Sequence, residues 1–173
     1  PCGGGGQGDW SARRGLGLCP APAGVAAVPA KAVCAAGYAK SAAEVAGNVR
    51  LCVETGVAGL SIEEATGEDS RPLYNFDTAL ERVRAARAAI DKSGGDVIFT
   101  ARTEGFIKGH PALDETLRRL KAFAAAGAAC LSAPGIKTRE QIEAVVKAVA
   151  PKPVTLLLSA ASGFTVKAFP AMG

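Results

Sequence analysis

Asp96-Val97-Ile98-Phe99-Thr100-Ala101-Arg102-Thr103-Glu104-Gly105 is an apolar run that ends abruptly in a cation, a hydroxyl and a carboxylate. Val57-Ala58-Gly59-Leu60-Ser61-Ile62 is a second such run, and it ends in Glu63-Glu64. Short apolar runs of this kind, followed by helical periodicity, predict buried parallel strands. In parallel α/β proteins ligands sit at the carboxyl ends of the strands. A cationic fork and acidic strand ends at one rim suit metal-assisted chemistry on a small carboxylate.

The rhythm continues outward in both directions. Val28 to Cys34 predicts a short strand. Ser41 to Thr55 predicts a helix, with Ser41 and Glu44 spaced as a capping box and Gly56 as the stop. Asp77 to Lys92 predicts a second helix with Leu80, Val83, Ala86 and Ile90 on its buried stripe. Leu113 to Ala126 predicts a third, with Leu117, Leu120 and Phe123 inward. Ala128 to Ser132 is a short strand, Thr138 to Val149 a helix with a Thr138–Gln141 capping box, and Val154 to Leu158 the last clear strand. Strands and helices alternating at βαβ spacing predict right-handed units on a parallel sheet, about five strands in all. The spacing is compatible with an open sheet or a barrel segment, five strands being too few for a closed eight-stranded barrel.

Pro1 to Gly24 is dense in Gly and Pro. It predicts a disordered, low-complexity segment over residues 1–25 ahead of one domain over 26–173. A phosphate-cradling loop there would need a strand before it and a helix after it. The tail from Ser159 predicts turns and a short helix. The chain starts at Pro1 rather than Met, so a missing natural N-terminus is expected.

The 173 residues are 49% hydrophobic, only 5% aromatic, and carry a net charge of +4. The charges alternate along the predicted helices, as on solvated faces, and no basic block with interleaved aromatics points to nucleic acid. No apolar run is long enough to predict a membrane span, and no signal-type core lies near the start. Five scattered cysteines without a C-x-x-C pair predict reduced thiols in a cytoplasmic protein, with Cys52 and Cys130 as core residues.

Arg102 is the leading candidate. At the end of a buried strand its charge must pair with Glu63 or Glu104, or face a carboxylate or phosphate ligand. Glu63 is a partner for Arg102, a metal ligand, or a group around the metal's waters. Glu104 lies in the following loop, where a carboxylate is either solvated or a third acidic member of the site. Glu64 points away from Glu63 if strand alternation persists. His110, the single histidine, is expected in solvent in its loop, which excludes a multi-imidazole site within the chain and leaves no Ser-His-Asp set.

Gly56 to Gly67 (GVAGLSIEEATG), Thr100 to Gly105 (TARTEG) and Gly127 to Gly135 (GAACLSAPG) resemble, in this order, the isocitrate lyase/phosphoenolpyruvate mutase superfamily, and within it the phosphoenolpyruvate phosphomutase-like members. The similarity covers about Val28 to Gly173. It implies part of a (β/α)8 barrel, a homo-oligomer, and Mg2+-dependent cleavage or formation of C–C or P–C bonds in small 2-oxo or dicarboxylic acids or phosphonates. By motif, Glu63 falls near the metal, Arg102 at the anion-binding position, and Glu104, Gly37 and Tyr38 among substrate-binding positions.

The chain departs from the family pattern at several places. Pro29 to Tyr38 keeps Gly37 and Tyr38 but has Val33 and Ala35 where the family has acids, one of them the principal metal ligand. Thr155 stands for Asn, and Ala129 and Ser132 for Asp and Tyr. The first barrel units have no counterpart in Pro1 to Gly24, and Glu64 to Pro72 lacks the Cys and His of the lyase loop. The resemblance with these losses predicts a diverged member, or a non-catalytic protein or barrel-completing subunit of the same lineage.

Overall fold

The computed structural model describes residues 29–94 and 96–157. The expectations for residues 1–25 and for the tail from Ser159 lie outside them. Among the described residues the elements are β1 (Lys31–Val33), α1 (Ala42–Glu54), β2 (Gly59–Glu63), α2 (Phe76–Lys92), β3 (Ile98–Arg102), α3 (Leu113–Ala125), β4 (Cys130–Ser132), α4 (Arg139–Val149) and β5 (Val154–Thr155).

The helices start where side chains can accept their free amides. Ser41 and Thr138 form the expected capping boxes with Glu44 and Gln141, and Asn75 caps α2 by accepting from the Thr78 amide. The buried stripes follow helical spacing. On α2 the stripe includes Ala79, Arg82, Val83, Ala86 and Ile90, with Leu80 only partly buried on its flank. On α3 it is Thr116, Arg119, Leu120 and Phe123. Strands are shorter than their apolar runs, because a ladder extends only as far as its neighbour: β1 pairs over three residues and β5 over two.

All five strands are parallel, in the order β1-β2-β3-β4-β5. A doubly wound sheet would reverse its order at a switch point. Here each strand lies beside its predecessor, so every right-handed crossover puts its helix on the same side. That is one arc of a (β/α)8 barrel. Leu60, Ile62, Phe99, Ala101 and Leu131 point to the helices and are buried with Val45, Val49, Val83, Ile90, Leu120, Phe123 and Val145. Alternation turns Ser61, Glu63, Thr100, Arg102 and Ser132 to the other face, the inner wall of the arc.

Candidate functional site

Register builds the site. Glu63 pairs with Arg102, Arg102 with Ser132, and Ser132 with Thr155, so one row crosses four strands at their carboxyl ends. Arg102 Nη1 lies 3.1 Å from Glu63 Oε1, and Arg102 Nε donates to Glu104 Oε1. The three sequence candidates thus meet at one guanidinium. Arg102 keeps 24% of its side-chain surface exposed, Glu63 14% and Glu104 2%. Beside them Ser132 Oγ donates to the Thr155 carbonyl at 3.0 Å.

Glu104 is therefore not the solvated loop carboxylate that its place after a strand allows. Its backbone amide donates to Glu64 Oε1 at 3.0 Å, which folds the loop back and buries the side chain against Arg102. Glu64 does turn away from Glu63. It is 4% exposed and pairs with Arg119 of α3 at 2.7 Å. A continuous chain of charge-assisted bonds runs from Arg119 through Glu64 and Glu104 to Arg102 and Glu63. Burial raises the Glu64 carboxyl above its ordinary range, opposed by Arg119. Burial likewise raises Glu104, opposed chiefly by its bond from Arg102. His110 is exposed, as expected.

Gly37 and Tyr38 lie in the loop that joins β1 to α1. Ala35 and Tyr38 both adopt positive φ, 42° and 50°. Such backbone persists only where surroundings fix it. Asn48 donates to the Gly37 carbonyl at 2.8 Å, and Arg82 of α2 donates to the carbonyls of Ala36, Ala39 and Lys40. At Gly37 (φ 68°) an added Cβ would come within 3.0 Å of Val45, so only glycine fits. Arg82 is 1% exposed and lies 4.2 Å from the centre of the Tyr74 ring. Its role was hidden among surface-type charges, although its spacing from Ala79, Val83 and Ala86 places it on the buried stripe. Arg119, three residues from the buried Thr116, carried the same signal.

The β1 loop abuts Glu63: the Glu63 amide donates to the Ala35 carbonyl at 2.8 Å, and Val33 is in register with Ser61. The two positions implied to be acidic thus stand at the rim, but they offer an apolar side chain and a methyl group. Mg2+ needs hard oxygen donors, usually including carboxylates. Glu63 is engaged by Arg102, and among the described residues no group of three or more His, Cys, Asp or Glu could hold a metal ion. The residues described do not fit the metal.

Comparison with known proteins gives the same lineage. The chain is 35% identical over 100 residues to the oxaloacetate decarboxylase of Paraburkholderia xenovorans, covering 54% of this chain and 32% of that protein. It is 35% identical over 100 residues to the 2-methylisocitrate lyase of Escherichia coli, covering 55% of this chain and 33% of that one. The matched stretch thus spans about a third of these curated relatives. Phosphonopyruvate hydrolase, solved in complex with oxalate and Mg2+, superposes with a TM-score of 0.79 at 26% identity, covering 94% of this chain and 57% of that one. The family model described as phosphoenolpyruvate phosphomutase matches residues 17–173, starting within the stretch expected to be low-complexity. The chain belongs to the phosphoenolpyruvate phosphomutase family.

Proposed function

We propose that this chain is a diverged member of the family that recognises small 2-oxo or dicarboxylic acids at the Arg102 rim and does not itself carry out Mg2+-dependent bond cleavage. The observation that carries the reading is the pair Val33 and Ala35, apolar at the rim beside Glu63, where the family resemblance implies acids. In relatives that hold the metal, it would polarise the oxygens of an enolate.

Arg102 supports the recognition half. Its guanidinium has five donors, and Glu63 and Glu104 are held by Nη1 and Nε, which leaves donors for a ligand carboxylate. Glu104 is itself engaged by Arg102 Nε, so its charge is paired rather than free to oppose that ligand. Ser132 and Thr155 extend the polar row beside the guanidinium.

The test is calorimetric titration of the chain with oxalate, in EDTA and in millimolar Mg2+. Binding of similar strength in both is expected, with at least a tenfold loss in Arg102→Met. The double variant Val33→Asp, Ala35→Glu is expected to add a Mg2+ requirement to tight oxalate binding. Mg2+-dependent binding by the unmodified chain would overturn the reading.

A further inference from the structure

A second cleft, about 580 Å3, opens on the helix side of the β2 and β3 rims, and neither Glu63 nor Arg102 lines it. The amino end of α3 forms one wall. That helix is 13 residues long, and its N-cap, Ala112, provides no side-chain acceptor, whereas Ser41, Asn75 and Thr138 cap the other three. The amides of Leu113, Asp114 and Glu115 have no acceptor among the described residues. Such free amides and the helix dipole attract an anion.

A second, independent feature points to a ligand in the same place. Thr116 is only 3% exposed and lines the cleft, yet its hydroxyl makes no hydrogen bond among the described residues. The hydroxyl itself keeps access to the cleft, where it is free to donate to a bound acceptor. Gly105 keeps the space open: a Cβ there would lie 3.0 Å from the His110 carbonyl and 3.8 Å from Thr116 Oγ1.

The acids in the wall do not repel an anion fully, because each is already engaged. Arg119 lies 2.7 Å from Glu64 and 2.8 Å from Glu115. Arg71, also in the wall and 3.8 Å from Glu68, remains largely exposed. Pro72, Leu73 and Tyr74 give the opposite side an apolar surface. The geometry points to a site for a small aliphatic monocarboxylate, its head on the α3 amides and the Thr116 hydroxyl and its tail on Leu73 and Tyr74. This site is separate from the Arg102 rim and does not depend on that reading.

Butyrate is the probe, titrated into the full chain in EDTA at constant ionic strength. The expected result is movement of the Leu113, Asp114 and Glu115 amide resonances in 15N–1H spectra. The melting temperature should rise by about 3–5 °C at ten times Kd. Thr116→Val should weaken binding several-fold. Ala112→Asp puts a carboxylate of the protein's own on the same amides, so it should raise the melting temperature without ligand and abolish the butyrate response. If unmodified chain shows no amide shifts, or if both variants, shown to be folded, respond as it does, the proposal fails.

Discussion

Glu104 is the residue whose burial has the clearest consequence. Its carboxyl is raised from the ordinary value of 4.5, with burial as the main cause. The folded state therefore binds this proton more tightly than the unfolded chain does. Stability from this group is full below about pH 4.5 and is lost as pH rises through the raised folded value. Glu104→Gln, which mimics the protonated form, should gain stability relative to the unmodified chain as pH rises through that window. Urea denaturation at several pH values measures this, and parallel profiles would contradict it. Arg82 makes a different prediction. Its guanidinium ties together three carbonyls of the β1–α1 loop and lies over Tyr74. Arg82→Met should lower stability by about 2–4 kcal/mol, since it leaves carbonyls unbonded. Arg82→Lys should recover only part, because an ammonium cannot match the spread of a planar fork. An Arg82→Met chain with unchanged urea midpoint and slope would refute this role.

At the scale of elements, the loops that follow the strands are held by specific contacts rather than by length. Gly135, at φ 92°, ends the β4 loop where an added Cβ would come within 2.7 Å of Ile107. It therefore lets that loop pack on the one that follows β3. The helix starts are simpler. Thr138 accepts from the Gln141 amide while Gln141 accepts from the Thr138 amide. Thr138→Ala should cost about 1 kcal/mol of stability. The check is a chemical denaturation midpoint with unchanged slope, and an unmoved midpoint would show that packing of Ile142 and Val145 alone sets the start of α4.

At the scale of the molecule, the sheet is an arc whose outer strands, β1 and β5, have no further strand beside them among the described residues. Unpaired strand edges invite pairing with other chains. Val33 on β1 is 56% exposed and Ile98 on β3 59%, which adds apolar surface to the open side. The isolated chain is therefore expected to self-associate. Light scattering across a concentration series checks this, and a monodisperse monomer at all concentrations would contradict it.

The sequence by itself determined the alternation of strands and helices, the capping boxes at Ser41 and Thr138, and the candidates Glu63 and Arg102, because apolar periodicity and cap spacing are local. It also showed the apolar residues at positions 33 and 35. It could not show that Arg102 pairs with both acids at once, nor that Glu104 is buried, because both depend on the β2–β3 register and on a bond from the Glu104 amide to Glu64, forty residues earlier. Apolar periodicity alone left an open sheet and a barrel arc both possible; the family resemblance implied the barrel, and the strand order, set by how crossovers pack, bears it out. The buried roles of Arg82 and Arg119 depended on tertiary structure as well: a charge can lie on a buried helical stripe only when distant carbonyls or a carboxylate meet it there.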